Sequence, residues 1–160
     1  MKIKPQTAIV VTLLILVIGI MSTSILGLYN VKTTKTPAKF ETAGYTDQYD
    51  PGDIRGSYTF SDITTLFDIP IADLAEAFGL SLDTASSTKV SGLEKLYDDS
   101  TYEIGTASMR LFVAYYLGLP YESGGDAHLP ESAANSLIDH GLLSQEQRSY
   151  VDSHTVYDPN

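Results

Sequence analysis

The chain has 160 residues, a formal net charge of −10 and no cysteine. Without thiols it has no disulfide, no thiolate-held iron–sulfur cluster, no c-type haem attachment, no cysteine nucleophile and no lipidated cysteine anchor. Charge is split along the chain: residues 1–39 carry five lysines and no acid, whereas residues 40–160 carry all 20 acids against five bases, and so acidic a region repels nucleic acid and anionic lipid.

Ala8 to Leu28 runs for 21 residues without a charge, close to the roughly 20 needed to cross a hydrocarbon core. Tyr29 then sits where an interfacial aromatic belongs. A cleaved signal peptide competes with this reading: MKIK as the basic region, Ala8 to Met21 as the apolar stretch, and Ser22-Thr23-Ser24 as the small-residue site. That site lacks the A-x-A form and apolarity resumes at Ile25, which favours an uncleaved single-pass anchor over residues 1–30. Lysine counts on the two sides nearly tie. A short basic tail before a long acidic domain favours a domain outside the cytoplasm, attached to the cell membrane. Residues 31–52 show no apolar period and read as a stalk or linker. Asp50-Pro51-Gly52-Asp53 is a turn signal, and Tyr45, Tyr49 and Tyr58 suggest that the later stalk lies against the domain.

The acidic helical domain spans 53–156, with 157–160 as a tail. Its most strongly patterned stretch is Asp53 to Leu80. Ser61 is positioned to cap a helix whose apolar face is Ile63, Leu66 and Phe67. Asp68-Ile69-Pro70 stops it, because a residue preceding proline is pushed out of the α region. Pro70 opens a second helix with Ile71, Leu74, Ala75 and Phe78 as its stripe, and Gly79 follows where a left-handed cap is wanted. Such short helices need tertiary packing, and the Ala107–Leu117 helix is the expected partner.

Leu80 to Thr88 reads as loop. Ser91 caps a short helix from Gly92 to Asp98 with Leu93, Leu96 and Tyr97 inward. Thr106 caps Ala107–Leu117, apolar nearly all round and suited to the middle of a bundle. Gly118-Leu119-Pro120 ends it, and Tyr121 to His128 is loop. Pro130 opens a helix to about His140 with Ala133, Ala134, Leu137 and Ile138 inward, closed by Gly141. Ser144 and Gln147 form a capping box for a last helix to about Asp152, and Val151 and Val156 dock the tail. No strand is expected. The fold class is all-α: an N-terminal transmembrane helix plus a small bundle of five or six short helices.

The chemistry is sparse. The hairpin has the spacing of a helix-turn-helix, but its second helix carries Asp73 and Glu76 and no base to meet phosphate, so nucleic acid is not an expected partner. His128, His140 and His154 fit no metal spacing and read as surface or loop residues. Asp47, Asp50 and Asp53 resemble a calcium loop without its closing glutamate, and Asp98, Asp99 and Glu103 read as a solvated acidic loop. No nucleophile elbow or comparable frame organises a serine. No catalytic residue, cofactor or metal site is assigned. Arg55 and Arg110 are the candidate binding or structural ion-pair residues. The acidic region has three arginines, and Arg110 lies in an otherwise apolar helix where a guanidinium needs a partner such as Asp53, Asp62 or Glu103. The alternative is anion capture.

IRGSYTFSDITTLFDIPIADLAEAFGL, then TASMRLFVAYYLGLPY, a later LP-opened helix and a terminal HTV together resemble an extracytoplasmic helical domain found with prokaryotic membrane-bound 4Fe-4S ferredoxin-type proteins. The resemblance covers roughly Asp53 to Val156 and departs from any cluster-bearing member in having no cysteine ligand. It implies an accessory role beside membrane redox proteins. The expected function is therefore a membrane-anchored extracytoplasmic accessory or protein-interaction module, with the membrane and a membrane protein complex as partners. A small-molecule or ion-binding domain is the alternative, and an enzyme of unrecognised type the remote one.

Overall fold

The structure is a computed structural model that describes residues 35–41, 44–121 and 126–157. The expected span from Ala8 to Leu28, Gly124-Gly125 of the expected loop and the last three residues lie outside that range. Among the described residues no helix is long and apolar enough to cross a membrane.

The described chain is predominantly helical, with seven α-helices. It opens with a segment folded back on itself: Phe40 N–H donates to the Gln48 carbonyl at 3.1 Å and Asp50 N–H to that of Ala38 at 2.8 Å. Phe40, Tyr45 and Tyr49 pack on the core, and Tyr49 meets Phe67 edge-on at 6.3 Å. A 3-10 turn, Pro51–Asp53, follows, and Asp50 caps it by accepting from Gly52 N–H at 2.7 Å.

The hairpin forms as two helices, α1 (Phe60–Phe67) and α2 (Ile71–Ala77). Its cap differs from the expectation. Thr59, not Ser61, caps α1, because Thr59 and Asp62 close a reciprocal box: Asp62 Oδ2 accepts from Thr59 N–H at 2.7 Å and Thr59 Oγ1 from Asp62 N–H at 3.1 Å. Ser61 is left exposed in the first turn. Asp68 ends α1 at φ 55°, and Pro70 is the cap of α2. Gly79 takes φ +61°, and Leu80 N–H reaches the Ala75 carbonyl at 2.8 Å, the Schellman closure.

Leu80 to Thr88 is not all loop. It holds a one-turn helix, α3 (Leu82–Ala85), anchored by the buried Ala85. The 3-10 turn Val90–Gly92 then leads into α4 (Leu93–Leu96), with no side-chain cap from Ser91. Leu96, expected inward, is 48 % exposed, since a single turn buries only Leu93 fully. Val90 N–H donates to Tyr58 and Phe60 N–H to Thr88, which tie this region to the start of α1.

Helix α5 (Thr106–Tyr116) is the most buried, as its sequence requires: Met109, Leu111, Phe112, Val113, Ala114 and Tyr115 are all inside. Thr106 is its first residue rather than its cap; Gly105 takes the cap position and donates its N–H to Ser108 Oγ at 3.1 Å. Gly118, at φ +66°, repeats the Schellman stop, with Leu119 N–H on the Ala114 carbonyl at 2.8 Å.

Two further helices, α6 (Glu131–His140) and α7 (Gln145–Ser153), complete the bundle. The Ser144–Gln147 capping box is present in both directions, at 2.8 and 3.2 Å. Ile138 is 46 % exposed rather than inward, because Ala133, Ala134 and Leu137 centre the buried stripe and Ile138 falls at its edge. One small sheet corrects the strand-free expectation: β1 (Leu129–Pro130) and β2 (Thr155–Val156) pair in parallel, Leu129 opposite Thr155 and Pro130 opposite Val156. Two residues carry no readable alternation, so this pairing has no sequence signal.

Helix α2 packs chiefly on α6, where Ala133 and Ala134 let the backbones approach. Helix α5, the partner expected from sequence, is reached through side chains. Phe60, Phe78 and Phe112 form a T-shaped ladder at 5.9 and 5.5 Å, and Tyr116 Oη donates to Asp73. Each fully buried phenylalanine contributes about 2–3 kcal/mol of transfer free energy.

Candidate functional site

The two arginines singled out from sequence are held at neighbouring points of the chain. Arg55 follows the first 3-10 turn, and its Nη2 lies 3.4 Å from Asp53 Oδ1, with both side chains substantially exposed. Such a pair contributes at most about 1 kcal/mol. Arg110, half-buried on α5, donates from Nε to the Ile54 carbonyl at 2.8 Å, one residue before Arg55. Its charge also acts on the Tyr121 phenol: burial pushes that phenol up, and the guanidinium pulls it back. Among the described residues Arg110 has no ion pair. It fastens the Ile54 turn to α5.

Two carboxylates of the calcium-like stretch, Asp50 and Asp53, serve the backbone. Asp50 caps its turn, and Asp53 Oδ2 accepts from Ala38 N–H at 2.9 Å. Asp62 meets Lys35 at 2.6 Å in addition to its capping role. Burial raises its carboxyl, but the Lys35 ammonium and the two Thr59 donors outweigh burial and hold it below the ordinary carboxylate range. On the other side of the hairpin, burial and then the Asp73 hydrogen bond push the Tyr116 phenol up to about 12. Among the described residues no three histidine, aspartate or glutamate side chains are grouped to hold a metal ion.

The expectation for the histidines is the surface or a loop; His128 and His154 do lie in loops, but His128 is buried. His140 is exposed, but His128 is only 8 % exposed and lies against His154, with ring centroids 5.2 Å apart. Tyr102 stacks on His128 and Tyr150 on His154, each at 3.8 Å. Both Nδ1 atoms face backbone carbonyls, His128 that of Asp126 and His154 that of Tyr150, each at 3.0 Å. These bonds fix the ring orientations. With Leu129 N–H on the His154 carbonyl at 3.0 Å, the stack fastens the C-terminal segment to the strand before α6. The Tyr150–His154 pair follows from helical i, i+4 spacing. The meeting with His128 is a long-range contact that spacing does not reveal.

One concave feature was not singled out from sequence. It is an open depression of about 310 Å³ lined by Leu80, Thr88, Gly92, Lys95 and Leu96. Its walls are the end of α2, the segment after α3, and α4. Their lining is almost wholly apolar, and Leu82 on α3 is 58 % exposed. Leu80, Leu82 and Leu96 thus present apolar surface on three short consecutive elements, whereas the ladder phenylalanines are fully inside.

No family model, curated protein or solved structure matches the chain.

Proposed function

We propose that this chain is a membrane-anchored, extracytoplasmic accessory module that binds another protein. The observation that carries this reading is the apolar depression beside α3 and α4, with the exposed Leu82 and Leu96, on a body whose Phe60, Phe78 and Phe112 ladder is packed inward. A concave apolar pocket is where an anchor side chain of a partner is received. The charge-free run from Ala8 to Leu28 supports the anchor, and the acidic balance beyond residue 40 supports a domain held off an anionic membrane surface. The resemblance of residues 53–156 to a domain that accompanies 4Fe-4S ferredoxin-type proteins points to a membrane redox complex as its setting. With no cysteine in this chain, a thiolate-held cluster there belongs to the partner.

The small-ligand alternative rests on Arg55 and Arg110 or on the acidic loops; of these, both guanidinium groups already have partners within the chain. Co-purification of the intact protein in mild detergent tests the accessory reading. A stable complex supports it, and a chain that purifies alone and monodisperse defeats it. Protease added to spheroplasts tests the topology: the domain is digested if it lies outside the cytoplasm and protected if it does not.

A further inference from the structure

His128 and His154 meet where the C-terminal segment joins the body, their ring centroids 5.2 Å apart and their planes tilted by 47°. His128 immediately precedes β1 and His154 immediately precedes β2, so the two rings sit at the head of the β1–β2 pairing. His154 also ends α7, with its N–H on the Tyr150 and Val151 carbonyls, while its own carbonyl accepts from Leu129 N–H at 3.0 Å. Each Nδ1 faces a carbonyl oxygen, which can only accept. The proton of each neutral ring is therefore on Nδ1, and each Nε2 holds a lone pair. Acid adds the next proton at Nε2 and turns both rings into cations.

The surroundings accommodate one such charge and not two. Asp126 Oδ1 lies 4.0 Å from His154 Nε2, on a side chain that is 88 % exposed and so largely solvated. Among the described residues no other carboxylate is within ion-pair distance of either ring. His128 faces Tyr102, stacked on it from the loop before α5, and at 8 % exposure it has little water to screen a charge. Glu103, beside Tyr102 in the chain, turns its carboxylate toward Gly105 instead. His154 faces Tyr150 of its own helix and Ser153 Oγ at 2.9 Å. Behind Tyr150 stands Tyr115 of α5; Glu146 of α7 acts on the Tyr115 phenol, and Arg110 and Asp50 act on that of Tyr121. Each tyrosine face attracts a single cation, but two cations at this separation repel across a poorly screened gap. Thr155 and Val156 are only half-buried, so releasing them exposes little core, whereas the buried Val151 keeps α7 seated. We propose that the pair is an acid-operated latch: with the rings neutral it holds the C-terminal segment on β1, and protonation of both drives His154 off His128 and lifts Thr155–Val156 from Leu129–Pro130 while the helices stay folded. The docked form disfavours the second proton and the released form does not. Docking is therefore complete above the ordinary histidine value of about 6.5 and is lost as pH falls below it. The latch is independent of what the depression binds.

The test uses the full-length chain in zwitterionic detergent micelles. Because the chain has no cysteine, Tyr157→Cys, at an exposed position just past β2, takes a single spin label whose mobility reports docking. The label is immobilised at about pH 7.5 and mobile at about pH 5, with circular dichroism unchanged between the two. The opening constant rises by up to about tenfold per pH unit for each extra proton taken up on release. His128→Phe keeps a flat ring without a titrating nitrogen, and the label then stays immobilised at the lower pH. His154→Phe does the same and guards against a folding defect in the first variant. Asp126→Asn, at an exposed position, removes the one compensating carboxylate and moves release to higher pH. A label equally mobile at both pH values overturns the latch, as does one freed only where the circular dichroism signal is also lost. Release of both phenylalanine variants over the same pH range as the wild type overturns it too, and would assign the transition to carboxylates elsewhere. If both variants are loose already at about pH 7.5, Asp126→Asn decides: an upward shift supports the latch, and a transition unmoved or lowered overturns it.

Discussion

Tyr58 is fully buried, yet its hydroxyl has no hydrogen-bond partner among the described residues. Burial pushes its phenol up, as expected for a group taken out of water. An unpaired buried hydroxyl costs about 1–3 kcal/mol, so Tyr58→Phe keeps the ring and removes the cost. The expected outcome is a gain of about 1 kcal/mol and a melting temperature higher by about 4 °C, read by circular dichroism. A loss would show that the hydroxyl is satisfied. Asp62 behaves in the opposite sense. Its carboxyl is held below the ordinary range by Lys35 and Thr59 against the burial that raises it. A depressed folded pKa contributes stability above the ordinary carboxylate value of about 4 and loses it as pH falls through the folded value. Asp62→Ala therefore costs about 1 kcal/mol at neutral pH, the worth of a cap. In strong acid, where the wild type has also lost the charge, that cost largely disappears. Urea melts at the two pH values measure the difference, and an equal loss at both would assign the residue a packing role instead.

At the scale of the element, the same device ends α2 and α5. Gly79 and Gly118 lie at φ +61° and +66°, each with the following amide closing on the helix. Alanine at either position pays the left-handed penalty of about 1–2 kcal/mol. At Gly79 its Cβ would meet only Tyr97 Oη at 3.5 Å, whereas at Gly118 it would press on Leu142 Cβ and the Leu142 carbonyl at 3.0 and 3.1 Å. Gly118→Ala is thus the more destabilising of the two in denaturant melts, and the reverse order would mean that the Leu142 segment yields. These stops, the Pro70 and Pro130 boundaries and the Ser144 box were legible because each is encoded within four residues. Helix α3 was not. It is one turn long, buries Ala85 and is closed by local bonds among Ser81, Thr84 and Thr88, so no periodicity announces it. The Ser61 cap was misplaced because Thr59 offers the same chemistry two residues earlier and finds its reciprocal partner in Asp62. The depression was equally hidden: Leu80, Thr88, Gly92 and Leu96 belong to successive short elements and share no face until those elements pack.

For the whole molecule the governing quantity is charge. Residues 40–160 hold 20 acids and five bases, yet the described residues form only three ion pairs, one of which needs a protonated histidine. Most carboxylates are therefore solvated, and their long-range interactions are mostly with like charge. Self-repulsion of this kind destabilises a compact state. Salt shortens its reach from about 30 Å at 0.01 M to about 8 Å at 0.15 M. The few surface pairs lose strength over the same range, but exposed pairs contribute only about 0–1 kcal/mol each. Relief of repulsion outweighs that loss, so the melting temperature rises with sodium chloride over this interval. Chloride and sulfate salts at matched ionic strength separate screening from exclusion effects, because screening acts equally in both whereas sulfate also strengthens apolar burial. A melting temperature that falls with sodium chloride would show that local pairs such as Lys35–Asp62, rather than the net field, set the electrostatic contribution to stability.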